Sequence, residues 1–333
     1  MITLHEILER DKRPPSVTVY MICYNHAKYL GEAIHGVLMQ KTNFPVSIVI
    51  HDDASTDKSA EIIRRYAKEN PNITAIIEET NFYQNGKSFL PLVIPHLTGK
   101  YIAYCECDDF WRDENKLQVQ IDYLEANLDC IGVYSNIMPV NQYSQYDEAV
   151  RPAILAKTEE GDYPRWELFN LRHQLASCVH RNFWQFMTPD DIDFYTHLRA
   201  PGDRKIAAVL LHIGRVHHFS EEFAAYRHVI DKGDSYSSRM SRIGAYGRFK
   251  HTVLWTSEIY VMIQHFFGKK YYHKYLYLLN QELRSLMKFR KSVIKDSEIN
   301  QCYHFLRFPA YLLLPFYIIY KVCKKILKLL MFR

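Results

Sequence analysis

No glycine-rich phosphate loop occurs anywhere in the 333 residues, and 12 Gly and 13 Pro leave the chain poor in both breakers. A Walker loop and a dinucleotide fingerprint are thereby excluded, and so is a low-complexity or fibrous chain. The 7 Cys (Cys23, Cys105, Cys107, Cys130, Cys178, Cys302, Cys323) are scattered, and no Cys/His cluster has finger spacing. That argues against a disulfide scaffold or a structural zinc module and leaves reduced thiols as the expectation. The opening MITLHEILERDKRPP carries acids and has no apolar h-region, so it does not read as a secretory signal. Residues 309–320 (PAYLLLPFYIIY) are almost wholly apolar but Pro315 interrupts them, which falls short of the roughly 20 residues of a spanning helix. What is present, 48% hydrophobic and 24% charged residues, suits a large α/β domain with an appendage.

Charge is divided along the chain. Residues 239–333 hold 18 Lys and Arg against 4 Asp and Glu, whereas residues 1–238 hold 24 against 33. An acidic body at 1–238 is followed by a basic helical extension at 239–306 and a tail at 307–333. Such a split predicts an anionic partner for the extension, a nucleic acid or a membrane. The tail decides for the membrane. Lys321, Lys324, Lys325 and Lys328 share one helix face, with Val322, Ile326, Leu329 and Leu330 mostly opposite. A Lys-faced amphipathic helix beside an aromatic-rich apolar segment is expected to lie in the headgroup plane of an anionic membrane. Nucleic acid is not expected as a partner, and the protein is expected at the cytoplasmic, inner face of the cell membrane.

The first half alternates in period. VTVYMI (17–22), VSIVI (46–50), ITAII (73–77) and YIAYC (101–105) are short β-rich runs. Between and after them, apolar residues at helical spacing (Leu30, Ile34, Val37, Leu38; Ile62, Ile63, Tyr66, Ala67; Leu117, Ile121, Leu124, Leu128) mark helices. This predicts an open, mainly parallel sheet covered on both faces, with ligands at the carboxyl ends of the strands. There stand CYN (Cys23 to Asn25), HDDASTD (His51 to Asp57) and ECDDFW (Glu106 to Trp111). Without a nest of backbone amides, carboxylates meet phosphates only by holding a divalent cation, so these acids predict a site for Mg²⁺ or Mn²⁺ with a diphosphate. Asp52 and Asp53 can also be read as caps of the next helix, and Asp108–Asp109 as a solvated turn.

These segments, over residues 15 to 128, resemble the family 2 glycosyltransferases of GT-A fold. Tyr24 and Asn25 match that family's YN, and Asp52, Asp53, Ser55 and Asp57 match its DDxSxD. Glu106-Cys107-Asp108 occupies its DxD position, with Glu in place of the first Asp. The resemblance implies that Tyr24, Asn25, Asp52 and Asp53 bind the nucleotide, with Asp53 on the base. It also implies that Asp108 ligates the metal, with Glu106 and Asp109 beside it.

The remainder of the body, 129–238, is expected to supply the acceptor half. A sugar transfer needs a carboxylate to take the acceptor's proton. Asp203 follows the Pro201-Gly202 turn signal and opens a helical run, GDRKIAAVLLHIGRV, which resembles the family segment carrying the catalytic base. Asp190, Asp191 and Asp193 stand as alternatives, and a plain N-cap is the bland reading of Asp203. Ala225 to His228 (AYRH) resembles the family's YR-x-H segment, which implies that Arg227 or His228 reaches the diphosphate or the metal. VIDKGDSYSSR (229–239) has the composition of a mobile loop closing over the donor. The expectation is a metal-dependent inverting transferase adding one sugar, from a UDP-sugar, to a lipid-linked or saccharide acceptor of a bacterial surface polysaccharide. Its rivals are a nucleotidyltransferase, for which the phosphate loop is missing, and a non-catalytic scaffold of transferase ancestry.

Overall fold

The structure, a computed structural model, describes residues 2–148, 158–163, 174–229, 242–268 and 297. The expected lid at 229–239 apart from Val229, the tail at 307–333 and most of the helical extension lie outside the described residues. By its contacts the chain divides into two compact units, residues 1–198 with 202–237, and residues 199–201 with 238–333.

In the first unit the elements run α1 (Leu4–Arg10), β1 (Val17–Cys23), α2 (Leu30–Leu38), β2 (Val46–Asp52), α3 (Ser59–Glu69) and β3 (Ile73–Ile77). There follow α4 (Leu90–Val93), β4 (Tyr101–Tyr104), β5 (Phe110–Trp111), α5 (Lys116–Ala126) and β6 (Cys130–Val140). Then come β7 (Gly161–Tyr163), β8 (Val179–Arg181), α6 (Pro189–His197), α7 (Gly202–Ile213) and β9 (Arg215–Arg227). The described part of the second unit is dominated by α8 (Gly244–Phe267), where Glu258 accepts hydrogen bonds from Ala200 N (2.6 Å) and Arg199 Nε (3.4 Å).

Among the described residues the sheet has nine strands, in the order β3-β2-β1-β4-β8-β6-β9-β5 with β7 also on β9. The pairs β3–β2, β2–β1, β1–β4 and β6–β9 are parallel, while β8, β5 and β7 pair antiparallel. The predicted alternation holds through β4. The antiparallel insertions come from short strands of two or three residues, which carry too little periodicity to be read in advance.

Alternation along β1 splits its residues between two layers. Val17, Val19, Met21 and Cys23 pack in one apolar cluster with Leu30, Ile34 and Val37 of α2, Ile63 of α3, and Leu117, Ile121 and Leu124 of α5. On the other face Gly132 of β6 makes room for α7, since a Cβ there would stand 3.2 Å from Leu210 Cδ1. Helices therefore cover both faces, and β1, β2, β4, β6 and β9 all end at the same rim. Gly36 lets α2 reach that rim, because a Cβ would meet the Trp111 backbone at 2.7 and 2.9 Å.

Candidate active site

At the ends of β1 and β2 the loops are tied to each other. Asp53 N donates to Cys23 O at 3.0 Å. Asn25 takes a left-handed φ of 58°, a conformation Asn tolerates. Its Oδ1 accepts from Thr56 N (2.8 Å) and Asp57 N (3.3 Å), and its N donates to Ser55 Oγ (2.8 Å). Asp52 is fully buried and its carboxylate accepts from Ser55 N (3.0 Å) and Ser55 Oγ (2.5 Å). Asn25 and Asp52, both expected to touch a nucleotide, thus spend these bonds on shaping the loop. Asp53 and Tyr24 face the segment after β3. The Asp53 carboxylate accepts from Phe82 N (2.7 Å) and Tyr83 N (3.1 Å), and the Tyr24 hydroxyl accepts from Gln84 Nε2 (2.9 Å).

After β4 comes the acid loop. Asp108 is 40% exposed at its side chain and lies 3.8 Å from His26 Nε2. Asp109 turns inward: Oδ1 accepts from Arg227 N at 2.8 Å, while Oδ2 is buried without a hydrogen-bond partner. Burial, with Asp108 and Glu106 adjacent, holds its carboxyl well above the usual range. Arg227 clasps this loop from behind. Its guanidinium is fully buried and donates to Asp108 O (2.8 Å), Glu32 (2.6 Å), Ser144 Oγ (2.9 Å) and Asn141 O (3.2 Å). Each guanidinium nitrogen bonds at least one protein oxygen, so Arg227, expected at the diphosphate or the metal, here braces the acid loop.

Glu106 senses the charge of Asp203 from across the rim. Burial and the charges of Asp108 and Asp203 push the half-buried Glu106 carboxyl up to about 8. Asp203 opens α7, where the helix N-terminus favours a carboxylate, and its Oδ1 accepts from Arg204 N at 2.8 Å. The alternatives are occupied on α6. Asp191 completes a capping box with Thr188, and Asp193 pairs with His197 at 3.5 Å with both side chains exposed. Asp190 lies exposed in the first turn of that helix.

His228, expected at the metal, has its N bonded to Val140 O (2.9 Å) and its ring 6.5 Å from that of Tyr226. Burial lowers its pKa and the charge of Asp147 opposes the shift. The histidine next to Asp108 is His26, which sequence reasoning missed. Its position three residues past β1, in the loop that faces ECDDFW, was the available signal.

Among the described residues no group of three His, Cys, Asp or Glu side chains could hold a metal ion by itself. Mg²⁺ and Mn²⁺ also bind by one or two carboxylates completed by phosphate oxygens. The half-open Asp108, with Glu106 adjacent and the orphaned Asp109 Oδ2 behind, fits that second mode.

Comparison with known proteins agrees with this geometry. Residues 18–187, just over half of the chain, match the family described as Glycosyl transferase family 2. An uncharacterised protein of Mycobacterium tuberculosis is 39% identical over 114 residues, 33% of this chain and 32% of that protein. The chain thus spans about a third of the length of that relative. Among solved structures, S. aureus TarS 1–349 in complex with UDP-GlcNAc superposes with a TM-score of 0.58 at 18% identity, over 82% of this chain and 73% of that one. The mannosyltransferase PcManGT from Pyrobaculum calidifontis, in complex with GDP-Man and Mn²⁺, gives a TM-score of 0.50 at 16% identity, over 93% and 86%. At these identities the two structures speak for the fold, a GT-A-like open sheet.

Proposed function

The chain belongs to the family 2 glycosyltransferases, and on that footing we propose that its rim transfers one sugar from a nucleotide-diphosphate donor, a UDP-sugar, with inversion. The observation that supports this reading most is the half-open Asp108 on the loop after β4, with Glu106 beside it and the unpartnered Oδ2 of buried Asp109 behind it.

In this reading the nucleotide base lies against Tyr24 and Asp53. Asp108, with Glu106, would hold Mg²⁺ or Mn²⁺, which when bound supplies positive charge against the leaving diphosphate. Asp203 stands on the acceptor side. The acceptor hydroxyl oxygen bonds to the anomeric carbon as the bond to the diphosphate breaks on the opposite face. Its proton passes to the Asp203 carboxylate. Arg227 and Asp109 keep the acid loop in place, and Asn25 and Asp52 keep the base loop in place.

The proposed acceptor is a lipid-linked or saccharide hydroxyl in bacterial surface-polysaccharide synthesis, met at the cytoplasmic face of the membrane through the basic tail. The excess of 18 Lys and Arg over 4 Asp and Glu in residues 239–333 supports that placement. No helix among the described residues is long and apolar enough to cross a membrane.

A screen of nucleotide sugars for donor hydrolysis by the full chain with Mn²⁺, followed by Asp203→Asn, tests the reading. The variant is expected to keep donor affinity and lose about 10²–10⁴-fold in turnover. Turnover equal to the unaltered protein would move the base elsewhere.

A further inference from the structure

Resting on the transfer proposed above, we infer that Tyr143 is a stacking platform for the acceptor. The acceptor is then a saccharide, and a neutral pyranose ring next to the reacting sugar lies on the tyrosine face.

At 67% exposure Tyr143 is the barest large aromatic or aliphatic side chain among the described residues. The turn that carries it, residues 141–147 after β6, is held by its own bonds. Asn141 Oδ1 accepts from Tyr143 N (2.8 Å) and Gln145 N (3.2 Å), Asn141 N donates to Gln145 O (2.8 Å), and Asp147 N to Pro139 O (3.0 Å). Ser144 takes a left-handed φ of 61°, which costs a residue with a Cβ about 1–2 kcal/mol. Its hydroxyl holds it there, donating to Glu32 Oε2 (2.8 Å) and accepting from Arg227 Nη1 (2.9 Å). The same guanidinium donates to Asp108 O. The turn and the acid loop are thus fastened to one group, and Tyr143 stands beside the rim's open carboxylate.

The ring is oriented as well. Lys28 Nζ lies over it, 5.4 Å from its centroid, and over Tyr29 at 5.1 Å, while the Arg227 guanidinium lies over Tyr29 at 4.3 Å. A ring backed on one side and so largely exposed offers its other face to solvent. Holding a bare ring in one place costs side-chain entropy, and a ligand that stacks there meets a surface already ordered.

The surroundings select the ligand's chemistry. The Glu32 and Asp108 side chains are each 40% exposed, and Glu148, which accepts from the Tyr146 hydroxyl, is exposed too. Carboxylates around an aromatic face suit a neutral polyol. Its C–H face packs on the ring, and its hydroxyls donate to oxygens that can only accept. A phosphate-rich ligand, whether a nucleic acid or an anionic membrane, meets the same carboxylates with repulsion.

Saturation-transfer NMR and calorimetric titration of the full chain with maltose, cellobiose and diacetylchitobiose test this, with UDP and Mn²⁺ titrated separately. At least one disaccharide is expected to bind, with saturation concentrated on the C–H protons of one of its rings. Tyr143→Ala should weaken that binding about five- to tenfold, and Tyr143→Phe, which keeps the ring, by less than about twofold. Lys28→Met, which leaves the ring unbacked by a cation, should weaken it about two- to fivefold. The turn's bonds do not use the Tyr143 ring, so the variants are expected to fold, with circular dichroism as the check. Their UDP affinity should stay within about twofold of the unaltered chain's. Failure of all the disaccharides to bind, or equal binding by the unaltered chain and Tyr143→Ala, overturns the platform. A Tyr143→Ala chain that keeps its sugar binding and loses binding to phosphatidylglycerol vesicles assigns the ring to a membrane, which overturns it too. Absence of UDP binding by the unaltered chain refutes the donor site itself, a failure that the sugar titration does not share.

Discussion

The two ends of the central sheet treat charge in opposite ways. Where β6 and β9 begin, Arg215 meets Asp129 through two nitrogens (2.8 and 2.9 Å) and Asp162 at 2.5 Å. His217 Nδ1 meets Asp162 at 2.9 Å, and Lys100 beside the start of β4 meets Glu125 at 2.6 Å. There the arginine and the lysine each stand against carboxylates. At the rim where those strands end, Asp53, Glu106, Asp108, Asp109 and Asp203 gather, and Arg227 is paired with Glu32. Folding alone gives no reason to collect like charges in a partly buried place, since each raises the cost of ionising its neighbours. The ion-paired end ties its strands together, and the gathering of carboxylates at the rim is the mark of a candidate binding site.

Weakening the rim's charge should therefore separate activity from stability. Asp108→Asn is expected to lower transfer by about 10²–10³-fold while the melting temperature holds or rises, because repulsion on Glu106 and Asp109 is relieved. Assays paired with thermal melts decide this, and a variant both inactive and strongly destabilised would erase the contrast. Arg227 should behave in the reverse way. Arg227→Ala leaves Glu32 and buried carbonyls without their donor and should cost about 3–5 kcal/mol in chemical unfolding. Arg227→Lys should recover only part, since one ammonium cannot span the Asp108, Ser144 and Glu32 partners.

Proton uptake sharpens the same comparison. His51 and His180 are held near 4 by burial, and His218 likewise by burial and by His217, against an ordinary value of 6.5. Between pH 6.5 and 4 the unfolded chain binds more protons at these sites, so stability falls as pH drops through that window. Glu106 acts in the opposite sense. Its folded carboxyl keeps until about 8 a proton that the unfolded chain releases near 4.5. Its contribution therefore declines as pH rises from about 4.5 to about 8. Melts from pH 4.5 to 8.5 should show an acid-side loss of several degrees, with a shallower alkaline decline that Asp203→Asn reduces.

Much of this was legible in the sequence for a physical reason. Parallel strands buried on both sides read as short β-branched runs, and the residues just past each run must stand at the rim, so CYN, HDDASTD and ECDDFW announced themselves. What was not legible depends on contacts far apart in the chain. Arg227 and Glu32 are 195 residues apart, and nothing local shows that the arginine turns inward to clasp the acid loop. His26 lies in a loop whose course is set by Asn25 at positive φ, and the 141–147 hairpin, pinned by Arg227 on Ser144, has too little apolar pattern to be seen. Asp52 has the sequence of a ligand, and that its carboxylate also shapes its own turn depends on its neighbour Ser55.

The smallest effects belong to the surface. Lys41→Ala removes an exposed 2.7 Å pair with Glu114 and should shift stability by no more than about 0.5 kcal/mol and leave turnover unchanged. A larger loss would mean that the exposed surface, too, contributes to the balance of charge.

The central claim is that the acid rim grips a dication which neutralises a diphosphate. Titration of UDP into the full chain and into Asp108→Ala, each with and without Mn²⁺, tests it most directly. At least a tenfold gain in affinity from Mn²⁺ in the unaltered chain, absent in the variant, is the predicted result. Equal affinities in all four titrations would contradict it.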